Sequence, residues 1–171
     1  MFVALTGTPG TGKTTVARIL PYPTVDLNAL VKEEGLHFGW DIERGCLEAD
    51  MEALAASLEA MESEDVTILE GHLSHHLALV AVVLRLNPKE LSRRLSNRGY
   101  PPAKIRENVE AEALDVILVE AVERCQRVYE VDTTGLLPEE VADLVAKAIR
   151  GEAELPPRGM GWLEEMELDL G

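Results

Sequence analysis

Cationic side chains are scarce in this 171-residue chain: 16 Lys and Arg stand against 31 Asp and Glu, a net charge of −15. That balance excludes a broad electrostatic grip on nucleic acid, which depends on neutralising many phosphates, and leaves only local or indirect contact with it. Cysteine is scarcer still. Cys46 and Cys125 are the whole complement and form no C-x-x-C pair, which argues against a disulfide framework and a thiolate zinc site and suits a reducing cytoplasm. Long apolar runs are also missing. The opening MFVAL gives way at Thr6 to a glycine loop, too short for a signal peptide, and nothing later approaches the roughly 20 uncharged residues of a membrane span. What is present is 46% hydrophobic residues, enough at this length for one domain with a substantial core. No internal repeat or low-complexity tract interrupts it.

Short apolar runs alternate with helical patterns, the order of β-α units feeding a parallel sheet. Residues 2–6, 24–27, 66–69, 79–86 and 128–132 read as five strands. Helices are expected at 13–20, at 50–62 with Met51, Leu54, Leu58 and Met61 in register, and at 138–149, where Pro138 and two acids open the first turn and Lys147 closes the last. The run 101–124 begins with two prolines and repeats apolar residues at 105, 109, 113, 114, 117, 118 and 121, which predicts one long helix. Residues 151–171 change character, with six acids, one arginine and a proline pair. This acidic extension is expected to lay Trp162, Leu163 and Met166 on the domain as one face of a short helix.

The sharpest motif is GTPGTGKTT at 7–15, in which Gly7, Gly12, Lys13 and Thr14 satisfy G-x-x-x-x-G-K-[ST] between a strand and a helix. That context gives the motif a mechanism: glycines free backbone N–H groups to face a β-phosphate, Lys13 reaches the β and γ oxygens, and the Thr14 hydroxyl ligands Mg²⁺. A glycine turn that binds nothing is the weaker reading. DTTG at 132–135 imitates a GTPase motif but lies far down the chain, and no N-K-x-D guanine reader exists. It reads instead as a turn after the last strand.

Positive charge is concentrated between 85 and 106, where Arg85, Lys89, Arg93, Arg94, Arg98, Lys104 and Arg106 face one acid, Glu90. A solvated helix face ordinarily explains such a run. Here the loop already implies phosphates, and Arg94 and Arg98, four apart before the turn GYPP, suit a short lid that brings guanidiniums over a transferring phosphoryl group and excludes water.

Taken with EGH at 70–72, VVLRLNP at 82–88 and RLSNRGYPPAKIRENVEAE at 94–112, the loop resembles that of the small adenylate kinase type 6 proteins in their archaeal form, over about residues 1–150. The resemblance implies an α/β P-loop nucleoside monophosphate kinase fold in three layers, with a five-stranded parallel sheet, a short monophosphate-binding insert at about 28–51 and a lid at about 97–107. It implies transfer of phosphate from ATP to AMP, a slower ATPase, and a part in small ribosomal subunit maturation through a basic ribosomal protein. Carried over by motif, Gly10, Gly12, Lys13, Thr14 and Thr15 bind ATP, with Thr11 in the same loop, and Arg98 is the lid contact, joined by Arg94 through their four-residue spacing; Lys32 is where the acceptor phosphate meets a cation. The acid-rich stretch 41–50 is a candidate for the acceptor's base or ribose. The carboxylate near Mg²⁺ is Glu70, one methylene longer than the usual aspartate and so expected to act through water. His72 is expected near the γ-phosphate, orienting a water.

HLSHH at 72–76 raises a transition-metal cluster as a rival, but the spacing matches no zinc pattern and no thiolate accompanies it. His75 and His76 are read as surface residues. An acceptor that is already an ionised phosphate needs no strong base, so transfer from ATP to AMP is the first reading. An ATP-driven assembly factor for a basic ribosomal protein is the second, favoured by the acidic surplus.

Overall fold

The computed structural model describes residues 1–41, 46–61 and 64–163. Its strands are β1 (Phe2–Thr6), β2 (Thr24–Asp26), a hairpin of β3 (His37–Asp41) and β4 (Cys46–Ala49), then β5 (Thr67–Glu70), β6 (Val80–Arg85) and β7 (Arg127–Asp132). The five expected strands form one sheet in the order β2-β5-β1-β6-β7, and every pairing in it is parallel. Parallel strands covered on both faces need apolar residues on both, which is why these segments read as continuous apolar runs.

Side-chain alternation along β1 divides the core into layers. Val3 and Leu5 face α1 (Lys13–Ala17) and α7 (Pro138–Ile149), where they meet Val16, Leu20, Val141 and Val145. Ala4, with Ala81 and Val83 of β6, faces Leu118 and Ala121 of α6 (Val116–Arg124). On the β5 side, Leu69 packs with Leu27, Leu30 and Val31 of α2 (Leu27–Glu33) and Leu54 and Leu58 of α3 (Met51–Glu59). Helices thus lie on both faces of the sheet, giving the expected three layers. Among the described residues no helix is long and apolar enough to cross a membrane.

The helix expected at 13–20 is regular only over Lys13–Ala17; one irregular turn follows, with the Ile19 and Leu20 N–H groups both on Val16 C=O, and Pro21 prevents any continuation by disfavouring helical conformation at Leu20. The helix expected at 50–62 spans Met51–Glu59 with Leu54 and Leu58 buried, while Met61 is exposed; residue 62 lies outside the described residues. The hairpin was not anticipated.

The single long helix predicted at 101–124 is two, α5 (Pro102–Ala113) and α6, broken where Asp115 takes φ 57°. A left-handed residue cannot continue a right-handed helix. The break turns the Asp115 carboxylate onto Arg85 Nη2 at 2.5 Å, a tertiary partner that local periodicity cannot reveal. Before α5, α4 (Pro88–Asn97) ends at Gly99, φ 73°, whose N–H reaches Ser96 C=O while the Tyr100 N–H reaches Leu95 C=O at 3.2 Å. That double cap needs a residue tolerant of positive φ, and it folds Tyr100 back beside Leu86, Leu91 and Leu95.

Candidate active site

Carboxyl ends of parallel strands are where ligand-binding loops gather, and β1, β5, β6 and β7 all end at one edge. β1 runs into the loop 7–12. Gly7 is held at φ 140°, where a Cβ would come 2.4 Å from the Leu84 carbonyl oxygen; only glycine fits against β6 there. Thr11 closes the loop by donating its hydroxyl to Thr8 C=O at 2.9 Å, and Thr133, in the turn after β7, donates its hydroxyl to Arg85 C=O at 2.7 Å, with Thr11 C=O a second, weaker acceptor at 3.4 Å. The DTTG segment is therefore a turn that props the loop.

Lys13 begins α1 and bends back to donate from Nζ to Gly7 C=O at 2.8 Å and Thr8 C=O at 3.1 Å. Burial lowers its pKa to about 8; Glu70 and Glu112 act the other way, and Arg98 adds to the fall. An ammonium so stripped of water gains from an anion delivered to it. Glu70, at the end of β5, is 4% exposed. Burial raises its pKa, against the pull of Lys13 and a hydrogen bond from the Thr14 side chain. The Thr14 side chain thus stands near the Glu70 carboxylate, so two hard oxygen donors of the kind Mg²⁺ prefers lie on one side of the loop. Gly10 and Gly12 hold positive φ in the loop, and the Thr14 and Thr15 side chains are exposed at the start of α1.

His72 lies just past Glu70 and keeps solvent access. Desolvation within the cleft, then the charges of Lys13, His75, His76 and Lys104, press its pKa to about 4, so its imidazole is neutral at pH 7. Beside it opens a cavity of about 330 Å³ lined by Asn28, Lys32, Trp40, Leu54, Gly71 and His72 among others. Lys32 is thereby brought to the cleft. Of the acid-rich stretch 41–50, residues 42–45 lie outside the described residues.

The basic run separates into different roles. Arg93 and Arg94 are tied to Glu90, at 2.8 and 3.1 Å, and Arg94 Nη1 comes 3.5 Å from Gly10 C=O. Arg98 caps α4 close enough to Lys13 for their charges to oppose. Arg85, counted in sequence with the lid cations, is buried under the loop. It binds Glu112 at 2.9 Å through Nε, Glu130 at 2.6 Å through Nη1 and Asp115 through Nη2, with the Trp162 ring 5.0 Å away. Burial works against its charge, but Glu112 and Asp115 outweigh that and raise its pKa. Glu112 also accepts from Leu86 N–H at 3.1 Å and from the Thr8 hydroxyl, so it couples α5 to the phosphate loop. Sequence reasoning named Arg85 only as part of the basic run and did not single out Thr8 or Glu112, though a lone arginine inside LVAVVLRL was a visible signal. Trp162 is 6% exposed and packs as expected, Leu163 is exposed, and residues 164–171, Met166 included, lie outside the described residues.

The reading of His75 as a surface residue is corrected: it is 1% exposed. Its Nδ1 lies 3.1 Å from Thr6 Oγ1 and its Nε2 3.1 Å from Glu120 Oε2. His76 is partly buried beside it, and His72 is not in that group.

A family profile described as AAA domain matches residues 3–115. A protein of Methanothermobacter thermautotrophicus named "Putative adenylate kinase" is 48% identical over 170 residues, 94% of this chain and 98% of its own. One of the same name from Archaeoglobus fulgidus is 46% identical over 175 residues, 98% and 94% of the two chains. Among solved structures, shikimate kinase from Acinetobacter baumannii in complex with shikimate covers 88% of this chain and 93% of its own at TM-score 0.59 and 16% identity, a likeness of fold alone. The sheet order, the phosphate loop and relatives matched nearly end to end agree: the chain belongs to the P-loop family of AAA-domain proteins that includes these archaeal relatives.

Proposed function

We propose that the protein is a nucleoside monophosphate kinase of the adenylate kinase type 6 kind, transferring the γ-phosphoryl group of ATP to AMP to give two ADP, with slower hydrolysis of ATP. The names of its archaeal relatives point the same way. The observation that carries the reading is the meeting of two sites at Gly71 and His72: the loop with Lys13 on one side, and on the other the roughly 330 Å³ cavity with Asn28, Lys32 and Trp40. A triphosphate in the first and a monophosphate in the second approach each other at the end of β5.

In this reading the N–H groups of Gly10 to Thr15 cradle the polyphosphate, and Lys13 leaves its two carbonyls for the β and γ oxygens. An AMP phosphate oxygen attacks the γ-phosphorus as the bond to the β,γ-bridging oxygen breaks, and ADP carries off that electron pair. The acceptor is already ionised, so no base is needed and positioning dominates. Lys32 holds the acceptor phosphate. Arg98, with Arg94 once it exchanges Glu90 for phosphate, covers the transferring group as the segment 97–107 closes. The Thr14 hydroxyl, and Glu70 through water, would hold Mg²⁺, which when bound would offset charge on the phosphate oxygens. His72, neutral and beside the cleft, orients water for the slower hydrolysis. The domain limits are 1–150 with the insert at 28–51.

The test is ADP formation from ATP with AMP, dAMP and CMP supplied in turn. A rate raised by AMP supports the assignment, and a rate indifferent to every monophosphate makes the protein an ATPase. The charge of −15 favours a second reading, an assembly factor that recruits a basic small-subunit ribosomal protein. Capture of such a protein from native lysate at low but not high salt supports it; no capture at low salt removes it.

A further inference from the structure

Among the described residues, His75, His76 and Glu120 bring one nitrogen or oxygen each to within 4.8 Å of one another. His75 and His76 sit on a short 3-10 turn (Ser74–His76) after β5, and Glu120 comes from α6, 44 residues beyond His76. Glu120 Oε2 lies 3.1 Å from His75 Nε2 and 3.9 Å from His76 Nε2. Around a tetrahedral zinc with bonds near 2.1 Å, neighbouring ligand atoms stand about 3.4 Å apart. Small side-chain rotations therefore close the set on one ion. We propose that His75, His76 and Glu120 form a site for a borderline divalent transition metal of the zinc and cobalt class, separate from the nucleotide's Mg²⁺.

Three features support a built site. First, the ligand type selects the metal: two imidazoles and one carboxylate suit zinc or cobalt and are poor for magnesium or calcium, which prefer all-oxygen shells. Second, the far side of the buried ring has a partner suited to both states. Without metal, the Thr6 hydroxyl donates to His75 Nδ1 and His75 Nε2–H donates to Glu120. With metal, the ring takes its other tautomer: Nδ1–H donates to Thr6 Oγ1, the Thr6 hydroxyl turns to the His72 carbonyl 3.2 Å away, and the Nε2 lone pair goes to the ion. The His75 Nδ1 keeps Thr6 as its partner in either state, and a second-layer hydrogen bond of this kind is what orients a ligating histidine. Third, there is access and room for a fourth ligand. The His76 and Glu120 side chains are 24% and 43% exposed, and a cavity of about 800 Å³ lined by both histidines, Glu59 and Glu123 adjoins the group. Arg124, whose charge reaches both imidazoles, is exposed and tempers the affinity.

Occupancy would fasten α6 to the turn that follows Gly71 and His72, and through His75 to Thr6, the residue preceding the phosphate loop. The site is thus placed to stiffen the catalytic edge without contacting nucleotide.

The experiment is titration of the metal-stripped full chain with Zn²⁺ in excess Mg²⁺, by calorimetry, with Co²⁺ absorption reporting tetrahedral nitrogen and oxygen ligation. One Zn²⁺ per chain is expected, with affinity falling by about tenfold or more in His76→Ala and in Glu120→Gln and unchanged in His72→Ala. Zn²⁺ should also raise the melting temperature of the wild type and not that of His76→Ala, with circular dichroism showing each variant folded. No stoichiometric Zn²⁺ in the wild type, or wild-type affinity in either ligand variant, overturns the proposal. Loss in His72→Ala equal to that in His76→Ala would assign the ion to the nucleotide cleft and overturn it equally. None of these readouts uses phosphoryl transfer, so the outcome is independent of the kinase reading.

Discussion

Replacing Glu112 by Gln removes one charge from beneath the phosphate loop while keeping the side chain's shape. Arg85 Nε and Glu112 Oε1 are 2.9 Å apart, and both side chains are 2% exposed. At an effective dielectric near 20, unit charges at that distance attract by roughly 6 kcal/mol. Part of this is returned, because the neutral amide costs less to strip of water. The amide oxygen can still accept from Arg85 Nε and Leu86 N–H, but the amide nitrogen then faces Thr8, whose hydroxyl must turn from donor to acceptor. Arg85 also keeps Glu130 and Asp115, so the loss lies at the lower end of the range for breaking a buried pair, about 3 kcal/mol. For a domain of this size that is roughly 6–12 °C in melting temperature. Urea unfolding followed by far-UV circular dichroism should show a lower midpoint at unchanged slope. Glu90→Gln, which loosens the more exposed pairs with Arg93 and Arg94, should leave the midpoint within error. A Glu112→Gln loss under about 1 kcal/mol, or one matched by Glu90→Gln, would refute the view that Arg85 and its acids clamp α5 to the loop.

Lys13→Ala should abolish both transfer and hydrolysis; either activity surviving near the wild-type rate contradicts the loop assignment. His72→Ala should reduce hydrolysis more than transfer, since only hydrolysis needs an oriented water, and because its pKa is held at about 4 the wild-type profile should lack an inflection of His72 near pH 6.5; equal losses would discredit that role. Lys13 has its pKa lowered from 10.5 to about 8 in the fold, so the unfolded chain binds more protons between those values and the Lys13 contribution to stability rises with pH across that window. Bound polyphosphate favours the ammonium and reverses the shift, so calorimetry of ADP binding at pH 9 in buffers of different ionisation heat should reveal proton uptake, and no uptake would mean that Lys13 does not meet phosphate.

The sheet and the phosphate loop were readable in sequence because each rests on local information. Buried parallel strands must be apolar throughout, and Gly7, Gly12 and Lys13 keep a fixed spacing. What escaped depends on partners distant in the chain. Apolar positions from 105 to 121 run without a phase break through Leu114, so periodicity could not see that Asp115 leaves the helix to meet Arg85. The hairpin was hard to see because its strands are short and carry few apolar residues; the alternation of Phe38 and Trp40 was its one local mark, and both side chains stay largely exposed at 71% and 63%. Arg85 looked like part of a surface charge run, yet three acids from α5, the α5–α6 break and β7 neutralise it inside. His75 looked like a surface residue because Glu120, the partner that accepts its Nε2–H, lies 45 residues further on.

In the proposed function, one chain holds a donor triphosphate on the loop at 7–15 and an acceptor monophosphate in the cavity beside Lys32 and His72, with their phosphates meeting between. Two adenosines joined through five phosphates would span both sites at once, so the decisive measurement is calorimetric binding of that compound with Mg²⁺. One molecule per chain is expected, bound far more tightly than ATP or AMP alone, with the advantage lost in Lys13→Ala and reduced in Lys32→Ala. Binding no tighter than that of ATP would contradict it.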